Sequence, residues 1–172
     1  MKKIYISSDA NVWIDYKHLN KLELPFKLPY HNIMNHESLY SELSGIDKLA
    51  KRLKQLGLET TNISIEEFEL ASKYSISYPK LSIQDRIALS ISKNRNIILL
   101  TGDKNLRSAA EKEKIEVRGS LWILDQLVDH QYISSDEYIE CIHSFIRLSN
   151  KGRRLPIKEL EKRLTKYKVG AD

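Results

Sequence analysis

Short apolar blocks alternate along the first three-quarters of the chain with longer stretches in which apolar residues recur every three or four positions. Ile4-Tyr5-Ile6 is a β-rich block and predicts a strand. Ile97-Ile98-Leu99-Leu100 is an unbroken apolar run between the turn Asn94-Arg95-Asn96 and Thr101-Gly102-Asp103. That pattern predicts a strand buried on both faces. Thr61–Ile65 and Ile115-Glu116-Val117 predict two more short strands. Between these blocks the helical period takes over: Asn11–Leu19, His36–Leu43, and Ile46–Leu56 with Ile46, Leu49, Ala50, Leu53 and Leu56 on one face and Gly57 as its stop. Further helices are predicted from Ser64 to Tyr74, from Leu81 to Ser92, from Asp103 to Lys112 and onward from Gly119. Ser82 with Asp85 resembles a capping box, although the box proper prefers Glu or Gln at the second position. Residues 20–32, with Pro25 and Pro29, predict a loop or a broken helix.

Strands alternating with helices imply a parallel sheet covered on both faces. The expected class is α/β, an α/β/α sandwich around a central, mostly parallel sheet. From Ser134 the pattern is helical only. Ile139, Ile142, Phe145, Ile146 and Leu148 form one apolar face, and Leu155-Pro156 opens a last helix with Leu160 and Leu164. Residues 1–130 therefore read as the α/β domain and 131–172 as a C-terminal helical extension too short to fold alone.

Charge changes this picture at one end. The 172 residues carry a formal +5, with 41% hydrophobic and 30% charged residues, as a globular protein has. Residues 147–172 hold nine basic and three acidic residues, so this segment is +6 and the rest of the chain −1. A near-neutral body with a basic tail suits a polyanionic partner, or simply a solvated helix face. No apolar run approaches the ~20 residues of a membrane span, and the first residues lack the apolar core of a secretion signal. No membrane association and a cytoplasmic location are expected. Cys141 is the single cysteine, which leaves no internal disulfide and no cysteine-based zinc cage.

In open parallel sheets, ligands bind at the carboxyl ends of the strands. Ser8-Asp9-Ala10-Asn11 follows the first strand, Thr101-Gly102-Asp103-Lys104-Asn105 follows the apolar run, and Asp85 sits in the first turn of the helix that feeds it. Each Asp has a plain structural reading as a helix cap, worth about 1 kcal/mol. Capping does not account for the two near-parallel signatures Asp9-Ala10-Asn11 and Asp103-Lys104-Asn105. Carboxylates brought close together need protons or a cation to neutralise them, and oxygen ligands without His or Cys suit Mg²⁺ or Mn²⁺. The five histidines show no i, i+4 pair, so a zinc hydrolase is not indicated. There is no Gly-rich phosphate loop and no Gly-x-Ser-x-Gly elbow.

These residues resemble PIN-domain ribonucleases. Ile4-Tyr5-Ile6-Ser7-Ser8-Asp9-Ala10-Asn11-Val12-Trp13-Ile14 is similar to the first motif of that family. Gln84-Asp85-Arg86-Ile87-Ala88-Leu89 resembles the third acidic motif, and Leu100-Thr101-Gly102-Asp103-Lys104-Asn105-Leu106-Arg107 the fourth. Gly119-Ser120-Leu121-Trp122-Ile123-Leu124 resembles the segment closing the domain in a subgroup of prokaryotic members. The likeness covers residues 3–130. The family's second acid is a helical Glu before an aliphatic residue, which Glu42-Leu43 matches. Glu37, five residues earlier, lies about 140° away on the helix and cannot share the site with Glu42.

The resemblance implies a metal-dependent nuclease acting on single-stranded RNA, of the VapC-toxin kind. Asp9, Glu42, Asp85 and Asp103 would ligate one or two Mg²⁺ or Mn²⁺ ions. Asn11 and Thr101 would orient the carboxylates, and Asn105 would support the fourth one or a water. Hydrolysis would leave a 5′-phosphate and a 3′-hydroxyl. Lys104 and Arg107 are candidate RNA phosphate contacts, with solvated helix charge as the plain alternative. Trp13 and Trp122 could stack bases, but both lie in apolar helical patterns that favour core packing. An antitoxin partner and a homodimer are expected from the same likeness. A dehalogenase-like phosphotransferase needs a second Asp two residues after the first, where Asn11 stands. The non-enzymatic alternative is a PIN fold kept for RNA or partner binding.

Overall fold

The structure is a computed structural model that describes residues 3–152 and 155–168. Of the basic tail, Arg153, Arg154 and residues 169–172 lie outside the described residues. The order is β1 (Tyr5–Ser8), α1 (Ala10–His18), a short 3₁₀ turn (Leu24–Lys27), β2 (His31–Asn35), α2 (His36–Leu43), α3 (Leu49–Leu56), β3 (Glu59–Thr61), α4 (Ile65–Ser77) and α5 (Ile83–Arg95). It continues with β4 (Ile98–Leu100), α6 (Lys104–Lys112), β5 (Val117–Arg118), α7 (Ser120–Asp129), α8 (Ser135–Asn150) and α9 (Ile157–Lys168).

The five strands form one sheet in the order β3-β2-β1-β4-β5, and every pairing is parallel. Parallel neighbours need crossover connections, which the helices supply on both faces. Leu99 and Leu100 show the two-sidedness of the apolar run. Leu100 joins the larger core with Ile6, Trp13, Leu39 and Leu53, while Leu99 joins the smaller one with Tyr74, Leu89, Leu106 and Ile115. Tyr138, Ile142 and Phe145 of α8 and Leu160 and Leu164 of α9 are buried in the larger core, so the C-terminal helices share it with the α/β body.

Several elements differ from their sequence expectation, each for a tertiary reason. β1 runs on to Ser8 because its two polar residues are buried and the Ser8 side chain is hydrogen-bonded there. Ser8 donates to the Ile33 carbonyl (3.1 Å) and accepts from the Trp13 indole (3.0 Å). Part of the predicted loop 20–32 belongs to β2, whose His-Asn-Ile-Met-Asn text carries no alternation. It is a strand because β1 and β3 flank it on both sides. β3 lies two residues before its expected start, since Ser64 caps α4 and draws Ile65 into the helix. Residues 46–48 form a turn rather than the first turn of α3, with Asp47 and Lys48 at positive φ. Gly57 ends α3 at φ +118°, a left-handed conformation that favours glycine.

α4 and α5 are joined by a buried ion pair. Glu67, only 1% exposed, receives Nε of Arg95 on Oε1 (2.6 Å) and Nη2 on Oε2 (2.9 Å), and its Oε2 also accepts the Ser64 amide. Burial alone would raise the Glu67 carboxyl, but the Arg95 hydrogen bonds and charge and the Ser64 amide hold it below its ordinary 4.5. At the other end of the molecule, Arg163 of α9 grips Asp125 of α7 through Nε and Nη2, and the Tyr138 hydroxyl donates to the same carboxylate. Part of the tail's positive charge is therefore neutralised inside the fold.

Replacing Arg95 by Ala leaves the buried Glu67 carboxylate without its cationic partner and is expected to destabilise the protein by about 2–3 kcal/mol at pH 7. The ion pair contributes fully above the ordinary Glu value and less as pH falls below it, so the gap to wild type should narrow on acidification. Urea unfolding at pH 7 and pH 4 measures both. An equal gap at the two pH values would contradict the assignment.

Candidate active site

The strand order reverses between β1 and β4, and a crevice opens at the carboxyl ends of these two strands. Asp9 follows β1 directly, and its amide donates to the Leu100 carbonyl at the end of β4 (2.9 Å). It occupies the N-cap position of α1, yet its side chain makes no cap hydrogen bond. Instead Asp9 Oδ2 accepts the Thr101 hydroxyl (2.8 Å) and the Asn11 amide (3.3 Å). Thr101 is fully buried, and its oxygen also accepts the Asp103 amide (3.0 Å), which fixes the hydroxyl proton on Asp9. Thr101 thus couples the two strand ends that carry the near-parallel signatures.

Asp85 and Asp103 are anchored differently. Asp85 completes a capping box with Ser82: its Oδ2 accepts the Ser82 amide (2.9 Å), and Ser82 Oγ accepts the Asp85 amide (3.1 Å). Asp103 caps α6 through Oδ1 and the Leu106 amide (2.8 Å). For these two residues the capping expectation describes the geometry, and for Asp9 it does not. Asp9, Asp85 and Asp103 each use one carboxylate oxygen, and among the described residues no hydrogen bond reaches the other.

Glu42 stands half-buried on α2 across a small polar cleft from Asp9, with Asn35, Ser38, Gln84 and Ala88 in its walls. Burial first, then the charges of Asp9 and Asp85, push its carboxyl up to about 7. Asp9, only 6% exposed, is raised to about 6 by burial and secondarily by Asp85, against the lowering effect of Thr101 and Asn11. Asp9, Glu42 and Asp85 therefore feel one another directly. Asp103 is not among the charges acting on Asp9 or Glu42. Among the described residues no group of three or more His, Cys, Asp or Glu side chains is close enough to hold a metal ion. Glu37 is exposed in the first turn of α2.

The remaining candidates divide. Lys104 and Asn105 are exposed and line a cleft of ≈ 690 Å³ with Asn11, Asp15, Asp103 and Leu155. Arg107 is tied back, donating Nη1 to the Thr101 carbonyl (3.0 Å), so part of its role is to hold the strand end. Trp13 is fully buried and stacked on Phe26, a core residue. Trp122 is half-buried between Tyr30 and the Arg118 guanidinium.

Sequence reading missed Asp15 and Asn35. Asp15 is a buried acid of α1 that accepts the Ser120 hydroxyl (2.7 Å) beside the larger cleft. Asn35 caps α2 through the Ser38 amide (3.2 Å) and places Glu42. An Asn immediately before a helical stretch was the available signal for the second. Nothing local marked the first.

The molecule is thus an α/β/α protein with an acidic crevice at the switch point of a parallel sheet. The family model for the PIN domain matches residues 5–169, and the chain belongs to the PIN-domain family, whose members are generally nucleases and typically depend on a divalent metal. No curated protein matches the sequence. The chemistry of the donors, though not their present spacing, suits such an ion: two carboxyls with raised proton affinity, a third within electrostatic range, and no cation among the groups acting on Asp9 or Glu42.

In metal-free buffer, a carboxyl lifted above its ordinary value opposes folding as it ionises. For Asp9 that penalty is absent below about pH 4 and complete above about pH 7. Asp9→Asn is therefore expected to raise the melting temperature by about 3–6 °C at pH 8 and to leave it nearly unchanged at pH 4. Thermal unfolding in EDTA at the two pH values tests this. A variant less stable than wild type at pH 8 would refute the electrostatic account.

Proposed function

We propose that this chain is a Mg²⁺- or Mn²⁺-dependent endoribonuclease that cuts single-stranded RNA, and that it acts as the toxin of a toxin–antitoxin pair. The observation that carries the catalytic part is the state of Asp9. A buried carboxylate at a strand end is held by a hydroxyl from the neighbouring strand, with Asn11 of its own helix as a second donor, and it faces Glu42 and Asp85. That costs stability, and a hard cation offsets it.

Asp9, Glu42 and Asp85 would hold the ion, with Asp103 contributing its unbonded oxygen from the α6 cap. A bound ion supplies a water of lowered pKa and neutralises charge on the phosphodiester. Thr101 and Asn11 keep Asp9 ionised and aimed. Lys104 and Asn105 line the cleft beside Asp103, where the RNA backbone would lie, and the exposed lysines of α9 would add salt-sensitive attraction. Asp9 and Glu42 must lose protons to bind the ion, so cleavage rises from pH 5.5 to 8. The toxin role follows from the resemblance of the acidic motifs to VapC-type proteins. A small gene beside this one, encoding a DNA-binding or acidic peptide that relieves growth arrest, is its test.

Purified protein with 1 mM Mn²⁺ is expected to cleave a mixed single-stranded RNA pool, leaving 5′-phosphates, and to be silent in EDTA. Asp9→Asn and Glu42→Gln should each lower the rate by about 100-fold or more while remaining folded. Matched single-stranded DNA and duplex RNA serve as competing substrates. Equal rates for wild type and both variants, or none in any metal, would leave the binding-module reading instead.

A further inference from the structure

A second cleft adjoins the one beside Asp103. It has a volume of ≈ 480 Å³, shares Asp15 and Gly102 with the first, and is walled farther out by Arg107, Arg118 and Trp122. Arg107 Nη1 donates to the Thr101 carbonyl (3.0 Å), and among the described residues its Nε and Nη2 have no partner. A Cβ at Gly119 would meet Nη1 and the Thr101 carbonyl at 3.4 Å, so the bare Gly119 backbone leaves room for the guanidinium at the strand end. The guanidinium is thus fixed through one nitrogen, and its other donors are unspent beside the cleft. A planar fork held in this way is pre-organised for phosphate oxygens. Thr101 turns its hydroxyl to Asp9 and its carbonyl to Arg107, so one residue links the guanidinium to the carboxylate crevice.

Trp122 supplies a different chemistry in the same cleft. Sequence periodicity assigns both tryptophans to the core, but only Trp13 is fully buried. Trp122 is half-buried, with Tyr30 packed on it (5.7 Å between ring centroids) and the Arg118 guanidinium 5.8 Å from its ring centroid. Among the described residues the ion pair of Arg118 is with Glu116, and both side chains are exposed. Such a pair contributes little, so a base can take the place of the guanidinium on the indole. Aromatic faces of this kind are where unpaired bases stack. The acids of the cleft are already engaged, Asp125 and Glu159 by Arg163 and Asp15 by the Ser120 hydroxyl. That leaves Arg107 and Arg118 as the cations a ligand would meet.

The geometry points to a nucleotide subsite: the cleft between Arg107 and Trp122 takes one unpaired nucleotide of the substrate, with Arg107 gripping its phosphate and Trp122 stacking its base. This rests on the nuclease reading and deepens it, since the strand would pass from the carboxylate crevice across Thr101 into this cleft. The subsite adds what the acids cannot supply. Carboxylates and a metal ion act on a phosphodiester whatever its bases are doing, whereas a base must leave its duplex before it can stack on a side chain. Trp122 would therefore select for single strands, at a place separate from the cleaving groups.

Binding of adenosine 5′-monophosphate in EDTA tests this. Without metal the acidic crevice repels phosphate, so the probe reports on the cleft. Trp13 is fully buried against Phe26, so a fluorescence change on excitation at 295 nm belongs to Trp122. Saturable quenching in the millimolar range is expected, with adenosine about 10-fold weaker and inorganic phosphate giving no quenching. Measured by equilibrium dialysis, Trp122→Leu and Arg107→Lys should each weaken binding by about 5-fold or more, with melting curves confirming that both are folded. Arg107→Lys keeps a donor for the Thr101 carbonyl and loses the fork. Absence of quenching at saturating probe, adenosine binding as well as its phosphate, or a Trp122→Leu protein that binds like wild type would each overturn the subsite. RNA cleavage without mononucleotide binding would overturn the subsite and leave the nuclease reading standing. Mononucleotide binding without cleavage in any metal would sustain the subsite and count against the nuclease reading.

Discussion

One hydroxyl, that of Thr101, holds the two halves of the crevice in register. Strands β1 and β4 pair in parallel, so their carboxyl ends emerge side by side. Asp9 follows one and Thr101 follows the other. The hydroxyl donates to the Asp9 carboxylate and accepts the Asp103 amide, so a single side chain sets the position of one acid and the backbone of another. Because Thr101 and Asp9 are buried, neither bond competes with bulk water, and the carboxylate keeps a fixed direction at the cost of a raised proton affinity. Moving β1 against β4 by one residue would undo all of it.

The same crevice shows how a fold tolerates an acidic cluster. Three helices begin there: α1 behind Asp9, α5 around Asp85 and α6 behind Asp103. Their N-terminal amides and dipoles favour negative charge. Asp85 and Asp103 use this directly as caps and sit close to ordinary helix-start chemistry. Asp9 draws only on Asn11 and is held chiefly by Thr101, Glu42 lies in the last turn of α2, and these two have the raised pKa values. The division separates acids that stabilise the fold from acids that burden it, and the burdensome pair has the stronger claim to chemistry.

Away from the crevice, the buried charges are paired. Glu67 with Arg95 closes the α4–α5 hairpin, and Asp125 with Arg163 and Tyr138 clasps α9 to α7 and α8. The second clasp alters the meaning of the basic tail. Arg163 is paired with Asp125, an acid outside residues 147–172, so the +6 of that segment overstates the charge offered to a polyanion. Composition counts charges, whereas only contacts reveal which of them are already neutralised.

How much could be read beforehand depended on whether the cause was local. Helical period, the buried run at Ile97–Leu100, the Ser82–Asp85 box and the acids after the strands are properties of neighbouring residues, and they predicted the α/β layers and the candidate acids. β2 escaped because His31–Asn35 becomes a strand only by being flanked on both sides. The polar end of β1 escaped because Ser8 is satisfied by Ile33 and Trp13, residues distant in the text or in direction. The sequence by itself determined which residues could carry charge and which segments could be helices or strands. Tertiary structure alone decided that Thr101 would hold Asp9, that Asp85 and Asp103 would spend an oxygen on their own helices, and that Asp15 would be buried. Those outcomes depend on distances between segments, which no local pattern encodes.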